Sequence, residues 1–291
     1  MKRLFLKIFL VIFILHVSWF LYFVFANFSD AFEITAQKTR VIILIGILVL
    51  AILIYFKWLR KNERLNKILI LTGKGILWIY IVFFFYFIYG IFFNPLITFT
   101  QIGSVLQGNG LHRNYISFAD MGPNIKLAVI ASEDQLFPDH DGFDLNSIKL
   151  AMKYNKRHPG KPARGASTIS QQTAKNVFLW QARTPLRKSL EVFCTFTIET
   201  GWSKKTILER YLNIAEMGRG IFGIQAAARK YFNKNAKDLT RAEAAQIAAS
   251  LPNPKVYTLK PLSAYVANHY ENILEQMNNL EGDGDVEDLV K

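Results

Sequence analysis

Cysteine is almost absent: Cys194 is the only one in 291 residues, so no internal disulfide and no site built on several cysteine ligands can form. Three familiar chemical signatures are missing as well. There is no His-Glu-x-x-His zinc motif, no Walker loop to cradle phosphates and no Ser-x-x-Lys nucleophile. Acidic residues are outnumbered, 22 against 35 Lys and Arg, for a formal net charge of +13. With 11 basic and 3 acidic residues up to Phe93, and 24 and 19 after it, both halves are basic. No alternating strand series and no internal repeat is visible, which argues against a β-rich or solenoid chain. What is plentiful is apolar surface: 51% hydrophobic and 14% aromatic residues, with a mean hydropathy of +0.17. Such a chain is neither disordered nor an ordinary cytosolic enzyme.

Charge is missing from three long stretches. Between Lys7 and Asp30 lie 22 uncharged residues, enough for a bilayer that needs about 20. Ile8 to Phe28 is the first expected span. It exceeds the roughly 7 to 15 residues of a signal-peptide core and lacks a clear small-x-small cleavage site, so a retained anchor is expected. The second span is expected over 41–59, where Lys57 can snorkel and Trp58 and Leu59 extend the run into the interface. The third runs from Gly75 to Phe93 and closes at Asn94 and Pro95. Because Lys and Arg accumulate on the cytoplasmic side, Lys2, Arg3 and Lys7 put the N-terminus inside. The loop carrying Lys57, Arg60, Lys61, Arg64 and Lys67 against Glu63 is cytoplasmic by the same rule. Three spans then place everything after Phe93 on the outer face.

The outer half reads as a linker over 94–122, a mainly α-helical domain over 123–280, and a solvated, disordered acidic tail over 281–291. Pro123 suits a helix first turn, and the apolar run that follows puts Glu133 at that helix's C-terminal end. Helical spacing recurs over 171–180, 186–200, 206–217 and 242–250, with a Thr240/Glu243 capping box and a stop at Pro252.

Residues 145–255 hold 20 Lys or Arg against 6 Asp or Glu, so an anion should bind there. Nucleic acid is the routine guess for such a patch, but a domain outside the membrane seldom meets it; lipid phosphates and diphosphates are at hand. Three segments carry candidate chemistry. The first, Glu133-Asp134 through Phe137, His140 and Gly142, concentrates carboxylates ahead of the basic region, and one of them can accept a proton; a capped polar loop is the plainer reading. The second runs from Arg164 through Gly165, Ala166, Ser167 and Thr168 into a helix. It suggests an anion cradle at a helix N-terminus, with Gln171/Lys175 and Gln172/Asn176 as two outward polar rows; an ordinary solvated face looks the same. In the third, Arg187 and Lys188 precede Glu191 by four and three residues. The pair either stabilises the helix by about 0.2 to 0.5 kcal/mol, or holds diphosphate oxygens while Glu191 orients them or binds a divalent cation, Mg or Mn. By contrast, Gly218-x-Gly220-x-x-Gly223 follows a helical run and lacks a βαβ unit, so it is read as a helix-ending turn and not a dinucleotide loop.

In this order the segments resemble the peptidoglycan glycosyltransferases of family 51, whose pattern includes E-D-x-x-F-x-x-H-x-G, G-x-S-T-I-x-Q-Q-x-x-K-N and R-K-x-x-E. Two further family-like blocks follow, from Lys205 through Tyr211 and Asn213 to Phe232, and from Glu243 to Pro254. Only residues 255–291 come after Pro254, so the chain looks like the monofunctional biosynthetic type. It departs from the family pattern in its three expected spans, where one anchor is usual, and at Ala166, where many relatives have Gly. The resemblance implies a lysozyme-like helical fold behind the three membrane helices, and polymerisation of lipid II with release of undecaprenyl diphosphate. It assigns Glu133 as general base and Glu191 as a second catalytic acid, and it places Ser167, Gln171, Lys175, Asn176, Arg187 and Lys188 against the substrate. Lipid II, the lipid-linked glycan, membrane lipids and other cell-wall synthases are the partners it implies. The location it implies is the bacterial inner membrane with the catalytic domain on the periplasmic side. The rival readings are a lysozyme-like or lytic enzyme that cleaves cell wall, and a non-catalytic scaffold that binds anionic lipids.

Overall fold

The computed structural model of the chain describes residues 2–28, 50, 55, 57, 61–161 and 163–291. The protein divides into two compact units, 1–89 and 90–291.

The first unit contains α1 (Lys2–Phe28) and most of α2 (Glu63–Phe92). Phe9 of α1 and Leu77 and Ile81 of α2 form a small buried cluster, with Leu6, Phe13 and Phe84 against it. His16 Nδ1 lies 2.9 Å from the Tyr80 hydroxyl, so these two polar groups on the seam satisfy each other. Both helices otherwise present exposed Leu, Ile, Val, Phe and Trp side chains. Leu4–Asn27 and Glu63–Phe92 are long and apolar enough to cross a membrane, which is consistent with membrane anchoring. The expected span over 41–59 lies outside the described residues apart from 50, 55 and 57. The helix expected from Gly75 starts at Glu63 instead. Charged residues mark where hydrocarbon ends, but Glu, Arg, Leu and Lys are good helix formers and let the helix continue beyond it.

The second unit is mainly helical, and α4 (Pro123–Glu133) lies at its centre. Every residue from Ile125 to Ala131 is buried, so this helix is covered on all sides. It packs against α10 (Arg241–Ser250) and α11 (Ala264–Asn279). A second group joins α6 (Ile169–Phe178) to α7 (Pro185–Gly201) and α8 (Lys204–Ile214). Between them in sequence, α5 (Leu145–Arg157) is capped by Asp144 and keeps mostly exposed residues. The Thr240/Glu243 capping box forms as expected.

Three expectations are corrected. The segment read as a linker folds into α3 (Phe99–Leu106) behind a Thr98/Gln101 capping box, then strand β1 (His112–Arg113) and a 3₁₀ turn at Phe118–Met121. The Gly218-to-Gly223 stretch is not a helix end but the hairpin of β2 (Glu216–Gly218) and β3 (Ile221–Phe222), followed by α9 (Ile224–Phe232). β1 pairs in parallel with β3, His112 opposite Ile221, which makes a three-stranded sheet of order β1-β3-β2. These strands are two or three residues long, too short to show alternation. Gly220 has φ 68°, and a Cβ there would sit 2.1 Å from the Asn109 carbonyl oxygen, so the hairpin turn admits only glycine.

The acidic tail is the third correction: Gly284–Val290 forms α12. Asp283 accepts from the Asp285 and Val286 amides, and the acids sit at the N-terminal end, where the helix dipole favours them. Val286, Leu289 and Val290 are buried, and the Val290 carbonyl accepts a 3.1 Å bond from Lys126, which is 2% exposed and lies over the Phe118 ring. The spacing of the three apolar residues is what docks an otherwise charged segment. Leu289→Ala should lower the unfolding free energy by about 2 kcal/mol, the low end for a buried leucine, in urea unfolding of the purified chain in detergent.

Candidate active site

Glu133 is the last residue of α4 and Asp134 caps it. The two neighbouring carboxylates point to different tasks. Asp134 is buried and structural: Oδ2 accepts the Ile169 amide at 2.9 Å and Oδ1 lies 2.9 Å from His140 Nε2. Gly142 N–H donates to His140 Nδ1 at 3.1 Å, so Nε2 carries the hydrogen and donates to Asp134. Lys204 Nζ reaches the His140 carbonyl at 2.6 Å and Glu199 at 2.9 Å, and Glu199 accepts from Ser170. Gly142 has φ 85°, with Glu199 Cγ and Thr195 Cγ2 each 2.8 Å from where a Cβ would be. This knot ties the end of α4 to the start of α6.

The joint puts Glu133 against the side of α6. Its Oε2 accepts from Gln172 Nε2 at 2.6 Å, and the buried Tyr211 hydroxyl lies 3.5 Å from Gln172 Oε1. Burial pushes the Glu133 carboxyl above the usual range, and the neighbouring Asp134 charge adds to that; the Gln172 bond and Lys175 pull the other way without reversing it. Its place at the negative end of α4 also disfavours ionisation. Lys175 is lowered, first by burial and then by Arg187 and Lys188, while Glu191 and Glu133 oppose the shift.

Glu191 on α7 is 2% exposed, and both its oxygens are bound, one by Arg187 and the other by Lys188. Lys175 adds a third cation to the same field. A divalent cation does not fit at Glu191: its lone pairs face guanidinium and ammonium donors, and three nearby positive charges would repel a metal ion. Among the described residues no cluster of three His, Cys, Asp or Glu is placed to hold one. The Arg187 Nε has no hydrogen-bond partner within the described residues, so donor capacity remains beyond Glu191.

An open groove with two lobes runs past these groups. One lobe, of about 930 Å³, is bordered by Glu133, Asp144, Arg164, Ser167, Lys175 and Arg183. The other, of about 650 Å³, runs from Lys175 and Asn176 past Trp180, Tyr211 and Glu216 to the exposed apolar side of α3. Gln172, Lys175, Leu251 and Pro252 border both.

Glu133, Ser167, Lys175 and Asn176 therefore line the groove, and Arg187, Lys188 and Glu191 form the charged cluster whose field reaches it through Lys175. Gln171 does not belong to this surface. It is buried, and its side chain accepts from the Thr168 amide while Thr168 accepts from the Gln171 amide, a capping box. The signal was legible, since Thr168-x-x-Gln171 has the spacing of that motif. The expected anion cradle at the α6 N-terminus is likewise occupied by the protein's own Asp134. Tyr211 and Arg183 are among the groove residues to which sequence reasoning gave no site role, and Gln172, which it placed only in an outward polar row, lines the groove with them. Only the direction in which α6 faces distinguishes Gln172 from Gln171.

The family model described as Transglycosylase matches residues 100–278, and the chain belongs to that family. Its relatives include the biosynthetic peptidoglycan transglycosylase of Mannheimia succiniciproducens, 56% identical over 167 residues, which cover 57% of this chain and 68% of that protein. The protein of the same description from Haemophilus influenzae is 52% identical over 183 residues, 62% of this chain and 74% of its own. One from Escherichia coli is 50% identical over 194 residues, 66% and 80% respectively.

Because folding raises the Glu133 pKa, its contribution to stability is fully present at pH below the ordinary carboxylate range and is lost as pH rises through the higher folded value. Glu133→Gln, which keeps the shape without the charge, should be more stable than the parent at pH 8. The gain should disappear near pH 4 in thermal unfolding scans.

Proposed function

We propose that this protein polymerises lipid II into glycan strands on the outer face of the bacterial inner membrane. The observation that carries the reading is one proton-accepting carboxylate set in a groove beside a cluster of cations. In this mechanism the 4-hydroxyl of the acceptor GlcNAc gives its proton to Glu133 as its oxygen attacks C1 of the lipid-linked donor MurNAc. The C1–O bond to the diphosphate breaks, its electron pair leaves on undecaprenyl diphosphate, and C1 inverts. A base whose pKa is raised toward working pH removes a proton more readily than an ordinary carboxylate. Lys175, Arg187 and Lys188 stabilise the charge that develops on the leaving diphosphate, which fixed cations do without reorganising. Glu191 acts as a positioning residue, holding two cations side by side against their mutual repulsion. Ser167 and Asn176 contribute hydrogen bonds along the groove, and Gln172 aims Glu133.

Membrane lipids surround the apolar helices in this reading, the N-terminus is cytoplasmic by its Lys and Arg, and other cell-wall synthases are expected partners. A lytic enzyme needs a protonated acid to neutralise a departing alkoxide and, when it retains configuration, a second free carboxylate across the bond. Glu191 is locked between Arg187 and Lys188, which suits a diphosphate leaving group better. A scaffold that merely binds anionic lipid has no use for the aimed carboxylate.

Purified protein given labelled lipid II should make long glycan strands, while isolated peptidoglycan as the parallel substrate should remain uncleaved. Glu133→Gln should lower polymerisation by about 10² to 10⁴ and leave lipid II binding intact; near-normal turnover in that variant would refute the assignment. As pH falls through the raised Glu133 pKa the parent rate should drop, because the carboxylate takes up a proton before the acceptor arrives, and the drop should begin at higher pH than for an ordinary carboxylate in a pH profile of kcat.

A further inference from the structure

The groove is not the only space that reaches Glu133. A smaller cavity of about 210 Å³ adjoins the larger lobe of the groove among α4, α10 and α11, and Ala131, Ser132, Glu133 and Pro252 border both. Ser132, Tyr265, His269, Asn272 and Gln276 supply its polar atoms, over an apolar floor that includes Ala248 and Ala249. None of the residues lining it is a lysine or arginine, so it is no seat for a diphosphate. His269 and Asn272 are exposed, and the cavity opens to solvent beside them.

His269 is held in a defined state. Its Nδ1 lies 2.9 Å from the Tyr265 carbonyl, and a carbonyl only accepts; Nδ1 therefore carries the hydrogen and Nε2 is the basic nitrogen. The imidazole stacks on the Tyr265 ring at 3.9 Å, and that ring stacks on Tyr257 at 3.7 Å. Burial, the neighbouring Tyr257 and the charge on Glu133 all push the Tyr265 phenol up, so this ring lies within the field of the catalytic carboxylate.

The reaction creates a need for such a space. Each transfer leaves one proton on Glu133, which must go before the next hydroxyl can be activated. Donor and acceptor glycans fill the groove and exclude water from that side, and the departing diphosphate, held by cations, is a poor proton acceptor. The titratable or charged groups around Glu133 are Asp134 at the end of α4, Lys175 on α6, Tyr211 on α8, and Tyr265 and His269 on α11. Asp134 is engaged by Ile169 and His140, Lys175 is cationic and Tyr211 is buried; α10 offers only alanines here. His269 is the group that borders both the cavity and bulk solvent.

We propose that this cavity is the proton exit of the enzyme: water within it takes the proton from the Glu133 carboxyl and hands it to His269 Nε2, which releases it to solvent. The carboxylate is regenerated and no other bond changes. The inference rests on the base role of Glu133 proposed above.

The test uses the full-length protein in detergent, lipid II as substrate, and weakly buffered solution with or without added imidazole. For His269→Ala, kcat should fall about tenfold, less than the roughly 10² to 10⁴ of a group that moves the proton in the transition state, because His269 acts only after the transfer; KM for lipid II should be unchanged and kcat restored by imidazole. The parent should be indifferent to imidazole. Ala249→Leu, which fills the cavity, should also lose kcat but without rescue. An unchanged kcat in His269→Ala overturns the proposal, as does a loss that imidazole does not restore or a rise in KM, which would mark the cavity as a sugar subsite. Should Ala249→Leu fail to fold, the imidazole experiment alone decides. Failure of the parent to polymerise lipid II would sink the functional reading itself, a different outcome from an active parent with an indifferent His269 variant.

Discussion

The carboxylate of Asp134 is the joint on which the second unit depends. It receives the first amide of α6 and the Nε2 hydrogen of His140, and so it fixes the end of one helix against the start of another. A buried carboxylate is tolerated only when its lone pairs are taken up by donors, and this one has both oxygens engaged. Because Glu133 precedes it in the chain, the same joint delivers Glu133 to the flank of α6, beside Gln172 and within the field of Lys175. One residue is held so that its neighbour can be reactive.

The electrostatic design follows from that placement. Glu133 is held where ionisation is costly, and the groove beside it is rich in positive charge. A buried carboxylate alone fits acid or base chemistry equally well. The nearby cations break the tie, because a diphosphate leaves as a stable anion and needs positive charge at its oxygens more than it needs a proton. Glu191 makes that cluster possible: without a carboxylate between them, Arg187 and Lys188 would repel each other and Lys175.

The first unit serves a different constraint. Its described helices carry apolar side chains over most of their surface, which water does not support but lipid does. In the second unit, α3 presents Phe99, Ile102 and Leu106 at one end of the groove. An enzyme whose substrate is anchored by a long isoprenoid gains from carrying both features in one chain.

Reading the residues in order was enough to find the helical class, the capping of α10, Glu133 at a helix end, the basic groove region and the family resemblance, because periodicity, caps and motif spacing are local. Gln171 was misjudged although its capping box is local, whereas the α6 N-terminus, the glycine hairpin and the acidic tail were misjudged for a common reason: each depends on what a distant segment brings. Asp134 fills the amide site at α6, Asn109 crowds Gly220, and Lys126 draws in the end of α12. Local sequence sets which backbone shapes and charges are available. Which of two adjacent glutamines faces the groove, and which of two adjacent carboxylates lines it, are settled only when the helices pack, since burial and long-range hydrogen bonds exist only in the folded chain.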